Sequence, residues 1–468
     1  MSEKRKFDVV VIGAGPGGYT AAIRAAQLGK KVALIEKGDL GGTCLNVGCI
    51  PTKTLLSNAL LLHQIKRAHL FDISTGPISF DFAKMKERKD KVVQKLRMGI
   101  QGLLQSNQIT SLKGSASFLS PRILQVQGEN NCLVEADKIL IATGSIPLEP
   151  KAFPCDHKRI LNSTSILELT EVPKSLIIVG GGYIGCEFAS LFAELGSHVT
   201  ILEALPTILA PQGPLVSQFM TKTFSAQGIQ IETQVMVEKV VNQGESVTVQ
   251  LKGGKELKAD FCLIAVGRKI YTEGLFLEKA GLKTNEKGAI VTNEHMETQV
   301  PGIYALGDVT GKWMLAHVAS HQAQIAASHA AGVKETADIR AVPAVIFTLP
   351  EIAMVGLTQE MAIDAGYQPK AVTFPFQALG KAQASLDTEG LAHLVIDPKT
   401  GEILGATLIG HEASNMISEI ALAIQNELTI ESIIETIHPH PTLSECWLES
   451  ALLAVERPIH LPPKKPIK

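Results

Sequence analysis

The stretch Phe7–Lys37, FDVVVIGAGPGGYTAAIRAAQLGKKVALIEK, decides the fold. Phe7–Ile12 is a short apolar run rich in valine, the composition of a parallel strand buried on both faces. Gly13, Gly15 and Gly18 follow as G-x-G-x-x-G, a helix is expected over Tyr19–Leu28, and a second strand over Val32–Ile35 ends at Glu36. The glycines have separate physical tasks. One allows the tight turn, one lets backbone N–H groups approach a pyrophosphate, and one lets helix and strand pack closely. The acid at the end of the second strand can accept a hydrogen bond from a ribose hydroxyl.

The same unit occurs again in Ser175–Ala204, SLIIVGGGYIGCEFASLFAELGSHVTILEA. Leu176–Val179 is the strand, Gly180, Gly182 and Gly185 the loop, and the helix runs through Phe192. A second strand, Val199–Leu202, ends at Glu203. Glu36 lies 18 residues after Gly18, and Glu203 lies 18 after Gly185. A lone G-x-G-x-x-G is weak evidence, since ordinary turns match it. Here each match sits between a strand and a helix with its acid in place. The expected class is α/β, with two Rossmann-like dinucleotide-binding domains. Two dinucleotides in one chain imply electron transfer between them, most simply FAD at one and a nicotinamide at the other. A carboxylate at Glu203 repels a 2′-phosphate, and the following ALPTILA holds no arginine to receive one, so NAD is favoured over NADP.

Composition agrees with a soluble multidomain chain. At 468 residues, about two to four domains are expected. A formal net charge of −2 argues against a nucleic-acid or polyanion binder, which needs a basic excess. No run approaches the roughly 18 apolar residues of a membrane span. The start, MSEKRKFDVVVIGAG, enters a strand at once and lacks the cleavage site of a signal peptide. Seven cysteines, an odd number scattered widely, do not form a secreted disulfide framework. A cytosol-like compartment is expected.

Further glycine turns cap strands. KILIATGSIP contains Thr143 and Gly144, FCLIAVGRK contains Gly267, and GIYALGDV places Asp308 directly after a strand and glycine, where an acid can hold a polyol chain. Each, taken alone, is equally well a plain turn.

GGTCLNVGCIPTK, Gly41–Lys53, holds Cys44 and Cys49 with four residues between them. A disulfide staple over so short a loop contributes only about 2 kcal/mol, little for a chain with this much core. One pair is half a zinc site, and no second pair at zinc spacing follows. Redox work is the favoured reading. Pro51 suits the first turn of a helix, which puts Cys49 at a helix N-terminus where the dipole stabilises a thiolate, with Lys53 one turn on. Cys44, expected in the loop, is the better target for an outside thiol. Cys132, Cys155, Cys186, Cys262 and Cys446 are isolated and read as ordinary thiols. Near the far end, ETIHPHPTLSECW packs His438, His440 and Glu445 together with Pro439 and Pro441. A His–Glu pair can serve as base and orienter for a dithiol substrate, and the bland alternative is a proline-rich turn with surface histidines.

GGTCLNVGCIPTK together with HPHPTLSE resembles the flavin-dependent disulfide reductases and, within them, the dihydrolipoamide dehydrogenase family. The resemblance runs the length of the chain. It implies an FAD domain (1–147), an inserted NAD domain (148–272), a central domain completing the FAD site (273–344) and a C-terminal α+β dimerisation domain (345–468). It also implies one non-covalent FAD per chain, NAD, no metal, and a homodimer whose active site is shared between chains. The implied partners are the lipoyl domains of 2-oxo acid dehydrogenase complexes or the glycine cleavage carrier protein, with neither nucleic acid nor membrane. Cys44 and Cys49 match the redox disulfide, Cys44 exchanging with substrate and Cys49 facing the flavin. His440 matches the base and Glu445 its orienter, with Lys53 and Glu187 the pair beside the flavin. Gly13, Gly15, Gly18, Glu36, Gly41, Gly42, Thr43, Lys53, Ala116, Thr143, Gly144, Asp308 and Ala316 match FAD-binding positions. Gly180, Gly182, Gly185, Glu203, Val237 and Gly267 match the NAD side.

The chain departs from the family pattern at Thr52, where serine is common, at Lys113–Ala116, KGSA, and at Pro439, where alanine is common. Alternatives within the class are glutathione and mercuric reduction. The first usually favours NADP, against Glu203, and the second carries a C-terminal cysteine pair, whereas no cysteine follows Cys446. A non-catalytic scaffold is the alternative outside the class. The stretch ERPIHLPPKKPIK reads as a solvated tail.

Overall fold

The computed structural model describes residues 4–333 and 339–462; the end of the expected solvated tail, from 463 on, lies outside them. The chain divides into two compact units. One holds Met1–Gly180, Glu194–Leu202 and Val235–Asp338, and the other holds Gly181–Ala193, Glu203–Gln234 and Ile339–Lys468.

In the first compact unit the leading strand is Lys4–Ile12. It pairs in parallel with Val32–Glu36 on one side and Cys132–Ile141 on the other. Thr110–Lys113 and Ile303–Ala305 extend the parallel part, and Ile123–Gln127 and Ser115–Ser120 add an antiparallel edge. Val9, Val10 and Val11 are all fully buried, the two-sided burial their unbroken apolar run predicts. Each such side chain contributes about 1.5–3 kcal/mol relative to exposure. The helix between the first two strands runs Pro16–Gln27. It begins before the expected Tyr19, because proline fits the first helical position, where its missing N–H has no partner to lose.

A second parallel sheet in the same unit carries His198–Leu202, Ser175–Val179, Phe261–Ile264 and Ile160–Asn162 side by side. Beside it Val237–Asn242, Val247–Leu251 and Glu256–Ala259 form an antiparallel trio. Val240, Val249 and Cys262 share one apolar cluster there.

The other compact unit contains a five-stranded antiparallel sheet in the order Ala344–Ile346, Glu351–Gly356, Ile403–Gly410, Leu391–Ile396, Lys370–Pro375. Its core joins Phe374, Phe376, Leu394 and Leu408 to Ile417, Ile420 and Trp447. Trp447 Nε1 donates to the Met416 carbonyl at 3.2 Å, which fixes the last helix, Glu445–Ala454, against Ala413–Gln425. Cys446 is fully buried in this core, so its place in the sequence beside Glu445 is a packing feature. Among the described residues no helix is long and apolar enough to cross a membrane.

Candidate active site

The first glycine loop is built by close backbone approach. Gly13 has φ +100°, and a Cβ there would lie 2.4 Å from the Ala142 carbonyl oxygen. Only glycine suits both conditions. Glu36 holds the loop: Ala14 N–H donates to Oε2 at 2.7 Å and Gly38 N–H to Oε1 at 2.6 Å. Gly18 packs so tightly that a Cβ would meet the Gly13 carbonyl at 1.8 Å, whereas Gly15 has only Gly42 Cα nearby, at 4.0 Å.

The cysteine segment is docked on this loop. Gly41 N–H donates to the Ala14 carbonyl at 2.8 Å. A Cβ on Gly42 would lie 2.6 Å from Gly15 Cα, so the two backbones touch. Cys44, expected in a loop, lies instead in a short helix, Gly42–Val47, which also contains Thr43. A second helix starts at Cys49 and runs to Lys66, carrying Lys53 one turn in. Gly48 joins the two helices, and a Cβ there would come within 2.9 Å of the Thr43 carbonyl and 3.3 Å of Cys44 Cα. Both cysteines are half-buried thiols. Cys44 is held strongly protonated: its hydrogen bond with Cys49 is the largest cause, followed by burial and the Cys49 charge, while Lys53 opposes weakly. Cys49 stands at the helix N-terminus, the position where the helix dipole favours a thiolate.

The other cysteines are inert by environment. Burial pushes the Cys186, Cys262 and Cys446 thiols up, and Cys155 is pushed up to about 12 by burial and by the charges of Glu149 and Asp156. Cys132 is buried in the core beneath the first sheet.

A cavity of about 180 Å³ opens at the Glu36 end of the loop, lined by Gly13, Glu36, Lys37, Ala116, Thr143 and Tyr271 among others. It gathers four expected residues from three segments. Sequence reasoning missed Lys37 and Tyr271, whose ammonium and ring stack at 3.8 Å on one wall of it. Thr143 Oγ1 donates to the Tyr271 carbonyl at 2.6 Å, and Tyr271 N–H to the Gly144 carbonyl at 3.0 Å.

The three strand-end turns also meet. Asp308 accepts a short hydrogen bond from Ser145 Oγ, and Arg268, next to Gly267, donates to Ser145 Oγ at 2.7 Å and to its carbonyl at 2.8 Å. Ser145 and Arg268 were legible only as neighbours of flagged glycines. Ala316 opens the helix Ala316–Ala330, whose Gln322 accepts from Gly307 N–H at 2.8 Å.

The second glycine loop repeats the first. Gly180 has φ +110°, with a Cβ position 2.4 Å from the Ala265 carbonyl. Glu203 accepts from Gly181 N–H at 2.6 Å and from Leu205 N–H at 2.7 Å. A Cβ on Gly182 would meet nothing within 4 Å. Gly185 and Glu187 lie in the helix Tyr183–Glu194, and the buried Glu187 accepts from Phe347 N–H at 2.9 Å. Val237 begins the antiparallel trio, half-buried against its apolar cluster.

The histidine segment separates two pairs that look alike in sequence. His438 is enclosed, its side chain 3 % exposed, and both nitrogens are occupied: Nε2 by Glu419 Oε1 at 2.8 Å and Nδ1 by the Thr436 carbonyl at 3.0 Å. His440 is 75 % exposed, and its Nδ1 lies 2.8 Å from Glu445 Oε1. An ionised carboxylate only accepts, so Nδ1 carries the hydrogen and Nε2 presents a free lone pair. Burial works against ionisation of Glu445, but the Thr442 N–H, the His440 hydrogen bond and the charges of His440 and His460 outweigh it and hold the carboxyl below its usual range. Such a pair can take a proton from an incoming thiol.

Comparison with known proteins gives the same outline. The family described as pyridine nucleotide-disulphide oxidoreductase matches residues 7–323, and its dimerisation domain matches residues 342–451. A dihydrolipoyl dehydrogenase of Chlamydia trachomatis serovar D is 49 % identical over 464 residues, covering 98 % of this chain and 99 % of the relative. One from Geobacillus stearothermophilus is 42 % identical over 458 residues, 97 % of each. Among solved structures, LpdA of Mycobacterium tuberculosis superposes with a TM-score of 0.89 at 27 % identity, covering 95 % of this chain and 99 % of that one. The HOCl-induced flavoprotein disulfide reductase RclA of Escherichia coli gives 0.86 at 33 %, with the same coverage.

Proposed function

The chain belongs to the pyridine nucleotide-disulphide oxidoreductase family, and on that premise we propose that it oxidises dihydrolipoamide to lipoamide through Cys44 and Cys49, with FAD as resident cofactor and NAD as acceptor. The observation that carries this reading is the docking of the cysteine segment onto the first glycine loop, through Gly41 on Ala14 and Gly42 on Gly15. A dithiol pair at that place adjoins whatever dinucleotide the loop holds.

The residues fit FAD. Gly13 makes the tight turn against Ala142, Gly15 leaves room for a pyrophosphate, Glu36 and Ala116 line the adenosine end, and Asp308 is an acid set for a polyol chain. Lys53 and Glu187 are the pair assigned to the flavin ring. Gly182, Gly185, Glu203, Val237 and Gly267 are assigned to NAD. Bound there, FAD supplies the two-electron chemistry that links the cysteines to NAD.

The thiol steps belong to the protein. Starting from the Cys44–Cys49 disulfide, His440 Nε2 takes the proton of one substrate thiol. The resulting thiolate attacks Cys44 Sγ, the Cys44–Cys49 bond breaks, and Cys49 leaves as a thiolate. The second substrate sulfur then attacks the first, and the Cys44–substrate bond breaks. The second thiol's proton passes to Cys44. Two electrons and two protons have left the substrate: the electrons reside in the reduced cysteine pair, and the protons on His440 and Cys44. Cys44's strong hold on its proton, caused first by the Cys49 hydrogen bond, favours this distribution.

The matched dimerisation domain supports a homodimer. In this reading the exposed His440 serves the partner subunit's Cys44, a lipoyl domain delivers the dithiol, and the compartment is the cytosol. The division at residues 147, 272 and 344 follows the same family pattern. Cys44→Ser tests the proposal. It should abolish dihydrolipoamide turnover, by at least about a thousandfold, while the protein stays yellow. Normal turnover in that variant sinks it. Rates with dihydrolipoamide, glutathione and mercuric ion, each with NAD(H) and NADP(H), test the substrate assignment.

A further inference from the structure

The last helix carries a second histidine–carboxylate pair. Glu445 and Glu449 are four residues apart on it, hence on one face. Glu445 binds His440, which precedes the helix. Glu449 binds His460, which lies past its end: His460 Nδ1 lies 2.8 Å from Oε1, and His460 N–H donates to Oε2 at 3.3 Å. Both pairs use Nδ1, so both leave Nε2 outward. The Glu449 side chain is only 6 % exposed, and among the described residues its hydrogen bonds come from His460 alone. A buried carboxylate with one partner is a poor stabilising device, since an apolar side chain would pack there at lower cost.

We propose that the His460–Glu449 pair is a positioning device for the thiol base: it places a second, separate set of charges beside His440–Glu445 and sets the pH range of dithiol oxidation. This rests on the reading of His440 as the base. The positive charge of His460 already reaches the neighbouring pair, being one of the influences that keep Glu445 ionised. Charged groups on the neighbouring elements have partners or positions of their own. Glu419, on the helix Ala413–Gln425, is bound to His438; Glu456 is exposed and bound to Lys370; Arg457 is exposed past the end of the last helix.

The two halves of the pair act with opposite sign. His460→Gln removes a positive charge and leaves Glu449 unpaired, so proton uptake by His440 becomes easier. The acid limb of flavin reduction by dihydrolipoamide should then move up by roughly half a pH unit. Glu449→Gln removes a negative charge and should move that limb down. A purely structural role would shift both variants the same way. The measurement is stopped-flow reduction of the holoenzyme across the pH range, with reduction by NADH as the control that should stay unchanged. Opposite shifts support the proposal; shifts of the same sign, or none above about 0.1 unit, overturn it. His440→Gln separates the two readings. If it leaves the dithiol step intact, the base assignment has failed. If it slows that step while the opposite shifts are absent, only the present proposal has failed.

Discussion

The two glycine units match in their backbone hydrogen bonds and differ in the segment laid over them. Gly13 N–H binds the Ile35 carbonyl and Gly180 N–H the Leu202 carbonyl, each at 2.8 Å. Ala142 N–H binds Ile12 and Ala265 N–H binds Val179, again each at 2.8 Å. The difference lies in the segment after the second strand. In the first unit Gly41 N–H donates to the Ala14 carbonyl; in the second, Leu209 N–H donates to the Gly181 carbonyl, both at 2.8 Å. The same acceptor position thus docks Gly41–Cys44 in one unit and the buried Ile208–Leu209 in the other. One fold element, used twice, carries a cysteine pair in one copy and a buried apolar turn in the other. The dinucleotide cradle is the constant part, and reactivity is added by the segment laid over it.

Substitutions in matched places can break this comparison. The largest effect is expected at Gly42→Val. Its Cβ would collide with Gly15 Cα at φ +57°, so the cysteine segment should lift off and FAD should be lost. Gly182→Ala, which meets nothing within 4 Å, should keep FAD and change only NAD binding. Equal loss of the flavin absorbance in both would end the claim that the units differ by their covering segments. A smaller, paired effect is expected at the acids. Glu36→Gln should weaken FAD about tenfold, and Glu203→Gln should raise the KM for NAD and reduce discrimination against NADP by about tenfold, one hydrogen-bonded charge each. The two variants should not share phenotypes, as read by FAD release and nicotinamide kinetics. The smallest effect is expected at Lys37→Met. Losing an exposed cation–π contact of about 0.5–1 kcal/mol should speed FAD release only two- to fivefold, by about the amount Tyr271→Leu does. No change in FAD release would show that this wall of the cavity does not touch the adenosine end.

Much of this was legible along the chain because it is local. Valine runs announced the buried strands, and G-x-G-x-x-G with an acid at fixed spacing announced both loops. The helix at Cys49 was readable from Pro51, whereas the helix holding Cys44 was not. Its six residues, GTCLNV, lack a capping side chain and carry no apolar period, and it is held by its contact with the first loop. The convergence of Ser145, Arg268 and Asp308 was equally hidden. Ser145 lies 123 residues from Arg268 and 163 from Asp308, and only the pairing of strands brings them together.

His438 and His440 make the last point. Side by side in HPHPTLSE, both stand near a glutamate. Residue types and spacing announced a duplicated dinucleotide fold, a cysteine pair and a histidine–carboxylate pair, because those depend on periodicity and on short-range geometry. The family resemblance already singles out His440, and packing supplies the physical reason. Glu419 arrives from another helix to close off His438, and Glu445 holds His440 in the open. A side chain's reactivity depends on what surrounds it in space, and that neighbourhood is written across distant parts of the chain.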